Sequence, residues 1–333
     1  MSPPTNFPLF LAPMAGVTDS VFRQICKRYG ADVLTTEFVS ADGILHRNER
    51  TAEYVDFDPT IERPLGVQLF GGDPEKMAAA ARAVLDWKQP DFIDLNFGCP
   101  VNKVVAKNGG SALLRDCPLL ERVATAVVRA VAANAPGVPV TAKIRLGWDH
   151  ESINAPRVAR LLEAVGIRRL AVHGRTRAQS YSGEADWERI AEVVDALNIP
   201  VIGNGDLASA ADVARRRAAI PRLGGVMIGR AAMSAPWIFS QTKTFLATGE
   251  ILPPPSLETR WALIREHCRL NALRWRRGGE RAAMSGMRAR LMAYTRGMDG
   301  SRALREKLAH VVSLAELDDI AAAHLRQTAA AAI

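Results

Sequence analysis

The chain has 333 residues, 48% hydrophobic and 23% charged, with a formal net charge of +8; this is globular composition, long enough to bury a large core and too apolar for a disordered segment. It contains no run of about 18 apolar residues, and the opening MSPPTNFPLF has no basic stretch leading into an apolar one, so no membrane partner and no export signal are expected and a cytoplasmic location follows. Its four cysteines, Cys26, Cys99, Cys117 and Cys268, form no CxxC pair and have no histidine at ligand spacing, which argues against a metal site and against a disulfide framework.

Apolar, β-branched runs of strand length fall at 9–12, 32–36, 65–69, 92–95, 139–144, 169–173, 199–203 and 225–228. Amphipathic helical stretches lie between them at 73–87, 118–134, 154–165, 186–197 and 208–217, whereas the connection 37–64 is the least regular. Eight βα units in about 240 residues predict an α/β fold of the closed (β/α)8 TIM-barrel type. An open doubly wound sheet competes, but the GxGxxG fingerprint after a first strand is missing.

Leu252-Pro253-Pro254-Pro255-Ser256 interrupts this pattern with a stiff, extended joint. Beyond it, 256–277, 281–296, 302–311 and 314–327 read as helices with no strand between them, Ser313 and Glu316 being spaced as a capping box. The expected organisation is a catalytic barrel at 1–251, a Pro-rich linker at 252–256 and a small helical domain at 257–333. Residues 256–333 hold 14 Lys and Arg against 8 Asp and Glu, so +6 of the net +8 resides there. Arg274, Arg276, Arg277, Arg281, Arg288 and Arg290 crowd together, opposed only by Glu280, which suggests either a solvated face or a polyanion-binding one.

The most informative segment is DLNFGCP at 94–100, where an apolar strand stops in a polar turn carrying one cysteine. Pro100 biases Cys99 towards an extended backbone, so the thiol points in a set direction. In a barrel of this class functional groups collect at the C-terminal strand ends. There the sequence puts Pro13-Met14-Ala15-Gly16, Glu37, Gln68, Asn96 and Cys99, Lys143 and Arg145, His173 and Arg175, Asn204-Gly205-Asp206, and Gly229-Arg230. Each has a structural explanation taken singly: a satisfied core histidine, a loop anchor, a rim charge. Their convergence on one rim points to a ligand. The glycine-rich turns at 203–206 and 228–230, each leading towards a helix, suit a phosphate, and Lys143, His173 and Arg230 suit a ligand with a phosphate and a large planar body.

LAPMAGVTD at 11–19, VQLFG around Gln68, DLNFGCP, KIRLGWD at 143–149, VHGRTRAQSYSG at 172–183, GNGD and VMIGR together resemble the tRNA-dihydrouridine synthases, over nearly the whole chain. The resemblance implies an FMN-dependent enzyme that reduces selected uridines of tRNA, with NADPH as electron donor although NADPH has no motif of its own here. It implies FMN held by Pro13, Met14, Ala15, Gln68, Lys143, His173, Asn204, Gly205, Asp206, Gly229 and Arg230, and Cys99 as proton donor to the base. In it the C-terminal helices correspond to the family's tRNA-binding helical domain; a monomer is expected, although the sequence leaves oligomeric state open. Met287 to Leu308 is most similar to the bacterial B-type branch, with Met287-Arg288-Ala289-Arg290 where that branch carries an MRKH-like motif.

Reduction of the C5=C6 bond of uracil needs a hydride at C6 and a proton at C5, and a thiol with an ordinary pKa of about 8.5 is mostly protonated at neutral pH and can donate it. Asn96, Arg175 and Tyr181 are expected to position the nucleotide, and Arg288 and Arg290 to contact the RNA. Two other readings compete: a flavin-dependent oxidoreductase of a free pyrimidine, similar to dihydroorotate dehydrogenase, and a non-catalytic RNA-binding protein. The basic helical appendage opposes the first, and the intact Cys99, Lys143 and His173 oppose the second.

Overall fold

Strands form where β-branched and other apolar residues are densest. In a computed structural model, which describes residues 7–47, 49–274 and 278–331, they are β1 (Leu9–Leu11), β2 (Leu34–Thr35), β3 (Val39–Ser40), β4 (Leu65–Phe70), β5 (Phe92–Phe97), β6 (Val140–Arg145), β7 (Leu170–His173), β8 (Val201–Asn204) and β9 (Gly225–Ile228). Eight of them pair in parallel in the order β1-β9-β8-β7-β6-β5-β4-β2. The two ends of this series meet where Phe10 stands opposite Val33 and Leu11 N donates to Val33 O at 3.0 Å. The result is a nearly closed (β/α)8 barrel. The two-residue β3, which lies in the irregular second connection and has no counterpart in the sequence reading, pairs with the end of β4.

The helices around the barrel are α1 (Ser20–Arg28), α2 (Ala41–Leu45), α3 (Glu49–Val55), α4 (Pro74–Lys88), α5 (Asn102–Val105), α6 (Cys117–Asn134), α7 (Ala155–Ala164), α8 (Trp187–Ala196), α9 (Ala210–Ala219), α10 (Arg230–Ser234) and α11 (Ile238–Thr248). The five expected from periodicity recur as α4, α6, α7, α8 and α9, with ends within two residues. Their starts are written in short polar side chains: Asp73, Asp116 and Asp186 accept from first-turn N–H groups, and Ser209 with Asp212 forms a reciprocal capping box.

Residues 252–256 carry neither helix nor strand, and α12 (Leu257–Arg274), α13 (Gly279–Tyr294), α14 (Ser301–Leu308) and α15 (Leu314–Ala331) follow. Glu316 N donates to Ser313 Oγ at 3.1 Å, and the Glu316 carboxylate takes the N–H of Val312 at 2.8 Å, so the expected box closes one residue early. Trp261, Ile264, Cys268, Met284, Met287, Leu291 and Tyr294 of these helices pack in one core with Val21 and Ile25 of α1 and with Trp237. The helical domain is thereby welded to the barrel through α1.

Inside the barrel, Phe10, Ala12, Ala171, Ile202 and Met227 make an apolar plug. A polar layer stands beside it, in which Gln68 Nε2 and Thr141 Oγ1 both donate to the buried Asp94 carboxylate. Burial pushes the Asp94 carboxyl up, against the pull of those two bonds.

One buried ion pair holds the start of α1. Arg23 Nε lies 2.6 Å from Glu62 Oε2, with side chains 1% and 0% exposed. Arg23 also donates to Thr18 O and Asp56 O, and Glu62 accepts from Ser20 Oγ and Asp58 N, so the pair is fully hydrogen-bonded. Glu62→Ala strands the Arg23 charge and should lower unfolding stability by about 3–5 kcal/mol in a urea titration; a change within about 0.5 kcal/mol, as for an ordinary surface site, would show that the pair does not anchor α1.

Candidate active site

The strand ends open into a cavity of about 850 Å³. Of the residues singled out in the sequence, Pro13, Met14, Ala15, Asn96, Cys99, Lys143, Arg145, His173, Tyr181, Asn204, Gly205, Asp206, Gly229 and Arg230 line it. Strand register brings several together: Asn96 stands beside Lys143, and Arg145, His173, Asn204 and Met227 run side by side across four adjacent strands.

Cys99 is aimed by the end of β5. Asn96 Oδ1 accepts the N–H of Gly98 at 3.1 Å and that of Cys99 at 2.9 Å, while Asn96 Nδ2 donates to Gln68 Oε1 at 2.8 Å. Arg145 Nε holds Gly98 O at 2.9 Å, and Ser111 Oγ holds Cys99 O at 2.8 Å. The turn is thus gripped on both backbone faces, and the thiol is 7% exposed. Burial pushes the Cys99 thiol up, and the opposing pull of the Val101 backbone N–H and the charges of Arg145 and Lys143 does not overcome it. At neutral pH Cys99 is a protonated thiol.

Positive charge dominates the floor. Lys143 has neither a hydrogen-bond nor an ion-pair partner among the described residues, and burial, assisted by Arg145, brings its ammonium down to about 8. Burial, then the charges of Lys143, Arg145, Arg175 and Arg230, hold His173 far below the ordinary histidine range, so its ring is neutral. Among the described residues, Asp206 is the one carboxylate lining the cavity. It is bound by Arg175 Nη2 at 2.7 Å, Arg230 Nη2 at 2.8 Å and Ala185 N at 2.7 Å. Burial works against its charge, but these bonds and pairings prevail and keep its carboxyl below the ordinary value. Tyr181 leans over the mouth, 56% exposed, its ring centre 4.9 Å from the Arg230 guanidinium and 5.8 Å from that of Arg145.

Gly205 has φ +134, and a Cβ there would come 2.5 Å from the Cβ of Ala185, so only glycine fits. In the seventh loop, Ser209 Oγ takes the N–H of Asp212 in the first turn of α9, and the Asp212 carboxylate takes those of Ala208 and Ser209, which precede the helix. Gly229 and Arg230 line the cavity at the start of α10. A roomy cavity with an unpaired lysine, a neutral histidine and a glycine–arginine turn fits a phosphorylated, planar ligand that gains negative charge on reduction, as FMN does.

A family model described as dihydrouridine synthase (Dus) matches residues 10–332. The chain belongs to the dihydrouridine synthase family. It is 47% identical over 252 residues to tRNA-dihydrouridine synthase B of Xanthomonas axonopodis pv. citri, a match covering 75% of this chain and 73% of that protein. With tRNA-dihydrouridine synthase B of Pseudomonas putida it shares 45% identity over 263 residues, covering 78% and 74%. A probable tRNA-dihydrouridine synthase of Rickettsia bellii is 39% identical over 299 residues, covering 89% and 88%.

Within this dihydrouridine-synthase barrel, four expected site residues do not line the cavity. Gln68 lies one layer below, its amide engaged by Asp94 and Asn96, and supports the floor. Arg175, expected to position the nucleotide, is 2% exposed and held by Asp206, Ser182 O and Gly183 O, so it braces the loop after β7 instead. Arg290, expected to contact RNA, is 5% exposed and turns inward to Gly16 O, Val17 O and the Asp19 carboxylate. Arg288 is half-buried on α13. In the same basic run, Arg274 pairs with Asp56 of the barrel, Arg281 is exposed, and Arg276 and Arg277 lie outside the described residues, so the run does not form one face. Phe38, Val101, Met233 and Arg296 line the cavity without having been singled out. Arg296 comes from the turn after α13, and only the docking of the helical domain places it at the barrel mouth.

Proposed function

We propose that this protein reduces selected uridines of tRNA to 5,6-dihydrouridine, with FMN as resident cofactor, NADPH as electron donor and Cys99 as the acid. The observation that carries the reading is the buried, protonated Cys99 thiol held beside a cationic cavity floor, in a chain of the dihydrouridine synthase family. The relatives' names supply tRNA as the substrate class. The basic helical domain, which brings Arg296 to the mouth, is a feature that a free pyrimidine would not require.

In this reading Gly229 and Arg230 take the phosphate of FMN, with Asn204, Gly205 and Asp206 shaping the adjoining turn. Lys143 would answer the negative charge that the flavin gains on reduction, neutral His173 would offer a hydrogen bond without adding charge, and Pro13, Met14 and Ala15 would form the wall. Bound there and reduced by NADPH, FMN would supply the hydride needed at C6 of uracil. The developing charge spreads from C5 onto the C4 carbonyl, and Cys99 Sγ–H gives its proton to C5. Arg145 and Lys143, whose charges favour the thiolate, lower the cost of that transfer, and the Cys99 thiolate it leaves takes its next proton from solvent. Asn96 keeps one amide hydrogen free for a carbonyl of the base, and Tyr181 offers a stacking face to the nucleotide. The uridine must leave the folded tRNA, at a cost of a few kcal/mol that phosphate contacts from residues such as Arg281, Arg288 and Arg296 offset.

Cys99→Ala should keep FMN and its reduction by NADPH but slow dihydrouridine formation by about 10²- to 10⁴-fold, read by single-turnover assay on unmodified tRNA. Wild-type rates would remove the acid role. The Lys143 ammonium sets a pH dependence for the cofactor: it is charged below about 8, and an anionic ligand binds the charged form and raises its pKa. FMN affinity should therefore be complete below about pH 8 and fall as pH rises above it, with the fall abolished in Lys143→Met. A fluorescence titration giving the same pH profile in both proteins would place the anion away from Lys143.

A further inference from the structure

We propose that Arg290, on helix α13 of the helical domain, is a positioning residue of the cofactor cavity: it clamps the loop between β1 and α1, so that flavin affinity depends on a side chain outside the barrel. This rests on the FMN reading above.

The loop forms one wall of the cavity through Pro13, Met14, Ala15 and Val17. It folds back on itself where Met14 N donates to Thr18 Oγ1 at 2.9 Å and Val17 N to Met14 O at 3.0 Å. Its apex, Gly16, has φ +71 and is gripped from two sides. The Gly16 N–H donates to Glu37 Oε2 of the barrel at 2.6 Å, and its C=O accepts from Arg290 Nη2 of the helical domain at 3.2 Å. The same guanidinium nitrogen reaches Val17 O at 2.9 Å and the carboxylate of Asp19, which caps α1 through Phe22 N. Arg290 is 5% exposed, far too enclosed to meet a phosphate of a docked RNA. Its Nη2 is directed at the loop, while Nη1 meets Met287 Sδ of its own helix at 3.4 Å, and no other side chain of the helical domain holds Gly16 O or Val17 O among the described residues.

Charge at the helical domain's inner face alone does not account for this contact. Arg28 of α1 and Glu266 of α12 form another interdomain pair, with two bonds of 2.7 Å, but it is exposed and touches no cavity residue. That pair is the natural control.

The test compares full-length Arg290→Ala, Asp19→Asn and Arg28→Ala. Asp19→Asn removes the charge that Arg290 meets while retaining an N-cap oxygen. FMN dissociation constants come from quenching of flavin fluorescence, and hydrogen exchange is followed at the 14–18 amides. Arg290→Ala should weaken FMN binding by about tenfold or more, Asp19→Asn in the same direction, and Arg28→Ala by less than about twofold. Exchange should quicken in the 14–18 loop of the first two variants and not elsewhere; a merely structural role would quicken it throughout. If Arg290→Ala fails to fold, Asp19→Asn decides by the same two readouts. Should the wild-type chain bind no FMN, the cofactor reading falls, while loop-specific exchange still tests the clamp. Unchanged FMN affinity together with unchanged loop exchange would overturn the proposal. So would intact FMN affinity in Arg290→Ala with a salt slope of tRNA binding reduced by about 0.7 to 0.9, which is the mark of a phosphate contact.

Discussion

Positive charge without matching negative charge is the constraint on which this end of the barrel depends. Lys143, Arg145, Arg175 and Arg230 converge on it, and the one carboxylate that lines it among the described residues, Asp206, already serves two of them. Charge buried in this way is costly unless answered, and the chain meets the cost in three ways. It keeps His173 neutral, lowers the Lys143 ammonium to about 8 and turns Arg145 onto the carbonyls of Gly98, Thr176 and Ser180. What remains is a demand for an anion. The same balance governs Cys99, where burial keeps the proton on sulfur while the adjoining cations keep its departure feasible.

The supporting structure is built to hold these groups still. Beneath the cavity, Thr141 and Gln68 lock the Asp94 carboxylate, Gln68 locks Asn96, and Asn96 locks the turn that carries Cys99. A chain of short bonds therefore runs from the barrel interior to the thiol, each member buried and each with a partner. The other wall is tied to the second domain. Because α1 packs into the core of α12 to α15, the helical domain is part of the scaffold of the cavity as well as a neighbour to it.

Much of this was legible in the sequence because it is written in local patterns. Periodicity gives the barrel strands and the helices α4 to α9 other than α5, and the capping aspartates mark where three of them begin. The short pieces β3, α2, α3, α5 and α10 escape, since two to seven residues carry too little periodicity to read, and the longer α1 and α11 are not among the helices read either. Cys99, Lys143, His173 and the glycine turns are legible as strand-end residues. The direction in which an arginine points is not: Arg175, Arg288, Arg290 and Arg296 look alike in sequence, yet one braces a loop, one is half-buried, one reaches back into the barrel and one lines the mouth. Those differences arise from packing between segments far apart in the chain, Arg290 and Asp19 being separated by 271 residues.

The central claim is that electrons held at this cavity pass to a uridine of tRNA. It is tested most directly by loading the protein with FMN, reducing it anaerobically, removing the reductant and mixing it with tRNA that contains no dihydrouridine. Reoxidation of the flavin in step with the appearance of one dihydrouridine per flavin is the expected result. A flavin that stays reduced in the presence of that tRNA, yet is reoxidised by a free pyrimidine, would contradict it.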